Sequence, residues 1–248
     1  MRKLEDNRDM ERFLEGRAAV VTGGTRGIGR AVAEALVGAG AAVAICGRSE
    51  ESVSRAVAEL GAGGGKVAGR AADVSDAAEV AALFRMVDER LGGLDILVNN
   101  AGIGAFASVA DLTVEQWRRT IGTNLDGVFY CCREAMPRFR QRGGGFAINI
   151  GSLAGRNPFA GGAAYNASKF GLIGLTEAMM LDHRYENVRA AIVMPGSVDT
   201  RFGGGPGGGA EWKSAPEDIA EAVMDLLRMP ARSLVSRVEI RPSRPKKG

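Results

Sequence analysis

At 248 residues, with 46% hydrophobic and 25% charged side chains, the chain has the ordinary composition of one large globular core. A formal charge of +3, from 32 basic against 29 acidic residues, and only 6% aromatics argue against a nucleic-acid-binding module. No apolar stretch approaches the ~20 residues that cross a bilayer, and the N-terminus lacks the basic-then-apolar pattern of a secretory signal. A cytoplasmic protein with neither membrane nor nucleic-acid partner is therefore expected. Cys46, Cys131 and Cys132 lie in apolar contexts without a C-x-x-C pair, so they read as small core residues in a reducing compartment, and no metal is expected.

Residues 1–12 form a charged extension with a second methionine, Met10, inside it, and are expected to lie outside the folded part. The first apolar run of strand length is Ala18–Thr22. Further strand candidates follow at Ala42–Cys46, Lys66–Ala71, Ile96–Asn99, Phe146–Ile150, Arg189–Met194 and Leu234–Ile240. Several are continuous apolar runs, as strands buried on both faces should be. Helical patterns lie between them: one from Arg30 to about Val37, and long ones over Val114–Gln141 and Ala163–Tyr185. Pro137 is expected to kink or end the first of the long pair. The alternation predicts an α/β domain over 13–241, with a parallel sheet of about seven strands and helices on both faces. Gly203–Gly209, all glycine except Pro206, cannot form a regular element. Residues 242–248 read as a solvated basic tail.

Two local patterns carry chemistry. Gly23-Gly-Thr-Arg-Gly27-Ile-Gly29 joins the first strand directly to the first helix. Glycine lets backbone turn sharply and lie against a phosphate, and a helix N-terminus adds N–H donors and partial positive charge. That placement points to a nucleotide, although the spacing is Gly-x-x-x-Gly-x-Gly and not the commoner Gly-x-Gly-x-x-Gly. Farther on, Ser152 precedes Tyr165 by thirteen positions and Lys169 follows it by four. Positions four apart share a helix face, which sets Lys169 beneath the Tyr165 ring. An ammonium there should lower a phenol pKa from near ~10, on a Coulomb scale of roughly 4 kcal/mol at 4 Å. Such a tyrosine exchanges a proton with a substrate oxygen that the Ser152 hydroxyl hydrogen-bonds.

From about Leu14 to Leu227 the chain resembles the short-chain dehydrogenase/reductase family. Thr22–Gly29 looks like the family's cofactor loop, with Gly23, Thr25, Arg26, Gly27, Ile28 and Gly29 at its contact positions. Asp73-Val74 resembles the pair that meets the adenine ring, and Asn99-Asn100-Ala101-Gly102 the element closing the fourth strand. Asn124 matches the helix asparagine of a catalytic tetrad that Ser152, Tyr165 and Lys169 complete. Pro195-Gly196, with Val198 and Thr200 beyond, resembles the segment at the nicotinamide end. The place of the Gly203–Gly209 run just after that segment makes a substrate loop near 201–215 an expectation that the resemblance implies. The resemblance implies a Rossmann-type doubly wound sheet and hydride transfer from a nicotinamide cofactor, with Tyr165 as proton donor. It also implies Lys169 on the nicotinamide ribose, and Asn124 holding a water that links Lys169 to solvent.

NAD-dependent relatives usually end the second strand in an acid that accepts from the ribose 2′-hydroxyl. Here Gly47 stands at that position, Arg48 follows it, and Arg26 lies in the glycine loop. Two guanidinium groups suit a 2′-phosphate, so NADP(H) is expected, with reduction of a small-molecule carbonyl as the reaction. Oxidation of a secondary alcohol is the same chemistry reversed, and a non-catalytic cofactor-binding regulator would be free to lose one of the four tetrad residues. The general look is that of 3-oxoacyl carrier-protein reductases. Val238-Glu-Ile-Arg-Pro242 and Glu186 depart from that group, while Arg184 and Arg189 supply nearby basic charge. Phe106, Leu153, Pro158, Phe159 and Phe202 give the expected pocket a moderately apolar wall. The family's pairing of its two long helices implies a homotetramer or homodimer, with Val128, Phe129, Leu175, Met179 and Met180 as candidates for the outer faces. His183, the single histidine, lies about five turns beyond Tyr165, outside the catalytic group.

Overall fold

The computed structural model describes residues 12–202 and 209–245. Most of the expected substrate loop's glycine run, and nearly all of the charged N-terminal extension, therefore lie outside the described residues.

The strands are β1 (Ala18–Thr22), β2 (Ala42–Gly47), β3 (Val67–Ala71), β4 (Ile96–Asn99), β5 (Gly145–Ile150), β6 (Val188–Pro195) and β7 (Arg237–Ile240). All pair in parallel, in the order β3-β2-β1-β4-β5-β6-β7. Every residue of β1 and β4 is buried, because helices cover both sheet faces there, whereas the edge strands β3 and β7 are only partly covered. This is why the central strands read as unbroken apolar runs. Only β7 departs from the expected bounds by more than a residue, starting at Arg237 and not at Leu234.

One helical layer consists of α1 (Gly27–Gly38), α2 (Glu50–Gly61) and α7 (Pro216–Arg228), whose Val32, Leu36, Leu60, Ile219 and Val223 pack on Val21, Val43 and Ile148. The other consists of α3 (Ala77–Leu91), α4 (Val114–Ile121), α5 (Gly127–Gln141) and α6 (Ala163–His183), with Phe84, Val87, Phe139 and Leu172 at its centre. Side chains set the starts of several helices: Ser49 for α2, Asp76 for α3, and a reciprocal Thr113–Gln116 box for α4.

The long helix expected over Val114–Gln141 is interrupted by a π turn, Gly122–Asp126, between α4 and α5. Pro137 does not end α5, which runs on to Gln141; the chain turns instead at Gly143 and Gly144, with φ of 74° and 146°. The helix expected to reach Tyr185 stops at His183 and tightens into a 3₁₀ turn, Arg184–Glu186. Of the residues assigned to outer faces, Val128 and Met179 are buried in the chain's own core and Leu175 and Met180 pack against it, leaving Phe129 exposed. Phe170 and Leu181 join it on the surface.

Candidate active site

In the strand order, β1 and β4 are neighbours from which the chain winds outward in opposite directions, which opens a crevice beyond their C-terminal ends. The glycine loop fills the start of that crevice. Gly23 has φ of 65°, a left-handed conformation that suits glycine. A Cβ at Gly29 would collide with the Gly23 carbonyl and the Asn100 side-chain nitrogen, so glycine is required for close packing. Thr22 Oγ1 accepts from the N–H groups of Asn100 (3.0 Å) and Ala101 (3.1 Å), and Asn100 Nδ2 donates to the carbonyls of Thr22 (3.0 Å) and Gly23 (3.2 Å). These bonds hold Asn100, Ala101 and Gly102 against the loop. Thr200 lies over it from the far side, with Cγ2 3.5 Å from where a Cβ on Gly27 would sit. Pro195 ends β6, the Gly196 N–H donates to Ile240 O (2.8 Å), and Val198 bridges to Ser214.

Unlike α2, α3 and α4, helix α1 has no described side chain capping its N-terminus and no acidic residue in its first turn. An uncapped N-terminus behind a glycine turn suits a phosphate. Beside it a cleft of about 450 Å³ is lined by Arg48, Arg70, Ala71, Ala72, Asp73 and Glu79. Gly47 stands where an acid would exclude a second phosphate, and Thr25 crowds it, with Cγ2 3.0 Å from an added Cβ. Arg26 and Arg48 are exposed at the mouth. Arg70 was not marked by the sequence reading; the pairing Cys46↔Arg70 brings it to the end of β2, and only knowledge of register would have found it. Asp73 accepts from Ser75 N (2.9 Å) and Ser75 Oγ (2.6 Å), and Val74 is buried behind it. Partial burial would raise the Asp73 pKa, but the Ser75 bonds with the charges of Arg48 and Arg119 hold it below the usual value. The residues present thus fit a dinucleotide carrying an extra phosphate on its adenosine half.

At the ends of β4 and β5 the second group assembles. Ser152 follows β5, and its Oγ accepts from Ala154 N (3.1 Å) and lies close enough to the phenol of Tyr165, near the start of α6, to exert a lowering pull on its pKa. Lys169, one turn later, is buried, with Nζ donating to Ile150 O (2.9 Å) and lying 5.8 Å from the Tyr165 ring centre. Burial depresses the ammonium pKa to about 8. The expected lowering of the phenol pKa is not found. Burial raises it above its usual value, and the Ser152 hydroxyl opposes only part of that rise. The physical reason is that the low-dielectric surroundings penalise the phenolate, while the ammonium is engaged with a backbone carbonyl.

Asn124 sits in the π turn and is almost fully buried. Its Oδ1 accepts from Ile103 N (2.8 Å), and its Nδ2 donates to Ile103 O (2.9 Å) and Ser168 Oγ (3.0 Å). Both amide protons are committed, so the side chain clamps the segment after β4 to α6 and has none left to donate to a water. Ser168 Oγ in turn donates to the Tyr165 carbonyl (2.8 Å). A deeper ladder, Asn99 Nδ2 to Asn149 Oδ1 and Asn149 Nδ2 to Thr176 Oγ1, each 2.8 Å, ties β4 and β5 to α6. Neither Asn149 nor Thr176 was marked by sequence, because a polar residue inside an apolar strand announces burial only after its partner is known.

The family model for short chain dehydrogenases matches residues 17–205. The chain belongs to the short-chain dehydrogenase family. Among curated proteins, the 3beta-hydroxysteroid dehydrogenase of Mediterraneibacter gnavus is 41% identical over 192 residues, 77% of this chain and 69% of that protein. An alcohol dehydrogenase of the archaeon Thermococcus sibiricus, solved with 5-hydroxy-NADP, superposes with a TM-score of 0.87 at 32% identity, covering 93% of this chain and 99% of that one. A metagenomic short-chain oxidoreductase solved with NADP gives 0.82 at 37% identity, with the same coverage.

In this short-chain dehydrogenase the surroundings of the tyrosine are aromatic. Phe106, Phe159 and Phe202 bring their ring centres to 5.7, 6.4 and 5.5 Å from that of Tyr165. Three of the five residues expected to form the apolar wall, Phe106, Phe159 and Phe202, therefore converge on one ring. His183 pairs with Glu186 at the far end of α6. The cysteines are all buried, and burial lifts Cys46 to about 11 and Cys132 to about 12, which leaves them as unreactive thiols. Among the described residues, no group of three or more His, Cys, Asp or Glu could hold a metal ion, and no helix is long and apolar enough to cross a membrane.

Proposed function

We propose that the protein is an NADPH-dependent oxidoreductase that reduces a small-molecule ketone to a secondary alcohol. The observation that carries this reading is the meeting of Ser152, Tyr165 and Lys169 at the strand ends, beside a glycine turn with Arg48 and Arg70 at its rim and Gly47, not an acid, at the end of β2. Gly23, Gly27, Gly29 and the α1 N-terminus would hold the diphosphate, and Asp73 and Val74 the adenine. Arg26, Arg48 and Arg70 would hold the 2′-phosphate. Asn100, Ala101, Gly102, Pro195, Gly196, Val198 and Thr200 would frame the nicotinamide half. When bound, NADPH supplies the hydride that reduces the carbonyl carbon.

The chain's own residues manage the proton. Ser152 hydrogen-bonds the substrate oxygen, Tyr165 gives its phenolic proton to that oxygen as negative charge develops, and solvent returns the proton. A phenol whose pKa is raised is nearly all protonated at neutral pH, which suits a proton donor and hence the reductive direction. Lys169 would hold the ribose hydroxyls and offset the transient phenolate. Asn124 acts as a positioning residue by fixing Ile103 and α6.

An acyl carrier-protein substrate has less support. Of the two basic residues noted from sequence, Arg189 stacks 4.3 Å over Phe146, which leaves the exposed Arg184 to face an acidic carrier. The exposed Phe129, Phe170 and Leu181 on α5 and α6 favour pairing with further copies of the chain. The test is NADPH oxidation followed by absorbance over a ketone panel. Tyr165→Phe should abolish turnover while keeping NADPH affinity within about threefold, and retained activity would remove Tyr165 from the proposed role.

A further inference from the structure

The three phenylalanines around Tyr165 come from three separate segments: Phe106 after β4, Phe159 after β5 and Phe202 after β6. Phe106 meets Tyr165 at an interplanar angle of 70°, edge to face, and also meets Phe159 at 5.8 Å. The others are tilted, at 47° and 52°. Such pairs fix ring orientation as well as bury area. Yet the rings stay about half bare, at 49%, 45% and 44% exposure. Three half-bare aromatic rings converging on one titratable group are an apolar surface awaiting a partner.

Two glycines make room for this cluster. A Cβ on Gly104 would lie 2.6 Å from Phe106 Cζ and 3.2 Å from Phe202 Cε1, and one on Gly162 would lie 2.7 Å from Phe159 Cε2. The walls are also tied together. Ala107 bridges Gly162, and Asn166 Nδ2, next in sequence to Tyr165, donates to Phe159 O (2.9 Å). Charge is scarce on the walls that follow β4 and β5. Across 103–107 and 153–162 the single ionisable residue is Arg156, and Glu239 pairs with it at 2.5 Å. On the third wall, Arg201 is exposed beside Phe202.

We propose that Phe106, Phe159 and Phe202 form an aromatic cup that selects an uncharged, ring-bearing ketone and seats its carbonyl at Tyr165. The proposal rests on the reading of Tyr165 as proton donor. A flat ring entering the cup meets ring edges and faces on three sides, where a flexible chain would contact the same surface only by ordering its own rotors. A carboxylate or phosphate on the substrate would lose its hydration against the first two walls without gaining an unpaired cation there.

The experiment compares acetophenone, 2-octanone (equal carbon number, no ring), 4-acetylbenzoate (the charged counterpart) and an acetoacetyl thioester as NADPH-oxidising substrates. The expected kcat/KM for acetophenone exceeds each of the others at least tenfold. Phe159→Ala and Phe106→Ala should cut the acetophenone to 2-octanone ratio at least fivefold, mainly through KM, with NADPH affinity held within twofold. Phe159→Leu, which keeps bulk without the ring, should fall between. Calorimetric binding of acetophenone to the NADPH complex of Tyr165→Phe gives a readout that needs no turnover. Equal or better use of 2-octanone or the thioester, or a ratio unmoved by both alanine variants, overturns the cup alone. NADPH binding without oxidation by any of the four substrates overturns the reductase reading and the cup with it.

Discussion

Lys169 is a buried ammonium whose ion-pair partner is missing among the described residues, and its cost is measurable. Its pKa falls from an ordinary 10.5 to about 8 because burial disfavours the charged form. Each tenfold step in a proton equilibrium is ~1.36 kcal/mol, so the charge costs the folded state roughly 3 kcal/mol at neutral pH. The sign follows from the depression. Between pH 8 and 10.5 the unfolded chain binds the proton that the folded chain has released, so this residue's contribution to stability rises with pH across that window and is lost as pH falls through 8. Cys46, Cys131, Cys132 and Tyr165 have raised pKa values and work the other way at higher pH. A wild-type curve alone would therefore mix the two effects. Lys169→Met removes one and keeps the other. The variant also strands the Ile150 carbonyl, at about 1–3 kcal/mol independent of pH. The stability of wild type minus variant should climb by roughly 3 kcal/mol between pH 7 and 10.5, equivalent to roughly 6–12 °C in Tm for a chain of this length. Thermal unfolding at half-unit pH steps, at one scan rate, reads it. Parallel curves for the two proteins would mean that Lys169 is neither desolvated nor depressed, and the reasoning would fail.

Other outcomes follow from the same site. Arg48→Asp should raise the Kd for NADPH by about 10–100-fold, the loss of one or two charge-assisted bonds, and tighten NADH. Fluorescence titration decides it, and an unchanged cofactor preference would point to Arg26 or Arg70 in its place. Because the Tyr165 phenol lies above its usual pKa, alcohol oxidation should accelerate steadily from pH 7 to 10 while ketone reduction stays level up to pH 8; an oxidation rate flat over that range would count against the phenolate as base. Asn124→Leu strands the Ile103 N–H and C=O, which should cost roughly 3 kcal/mol of stability. A fall in Tm below 2 °C would show that those groups find other partners.

Most of the fold could be read from sequence because its strands are buried on both faces, so β1, β4 and β6 leave unbroken apolar runs. β7 was placed less well. An edge strand with Arg237 and Glu239 in it has little apolar pattern to read. The π turn at Gly122–Asp126 leaves no trace in sequence, since one extra residue in five alters the helical period too little to detect. Ser152, Tyr165 and Lys169 were legible through spacing and Asn124 only through the family resemblance, but their environment was not. Four positions along a helix fix where Lys169 sits relative to Tyr165, yet they do not reveal the Ile150 carbonyl that takes the ammonium or the burial that raises the phenol.

The departures from what stability alone would choose gather in one place. The buried lysine without an ion-pair partner among the described residues lowers stability where it stands, the π turn holding Asn124 interrupts a helix, and the three phenylalanines stay half bare; each touches Tyr165, or a residue that does. They persist because β1, β4 and β5, buried and paired along their length, fix the ends from which these side chains project. A random search for stabilised variants should therefore recover substitutions at Lys169 and at the exposed phenylalanines, with activity lost as stability rises. The ladder of Asn99, Asn149 and Thr176 behaves differently. It is polar and buried but nearly satisfied, and it joins the sheet to α6 without reaching the crevice. Substitution there should cost stability first and activity only as α6 shifts, which separates the residues that perform the chemistry from those that hold it in register.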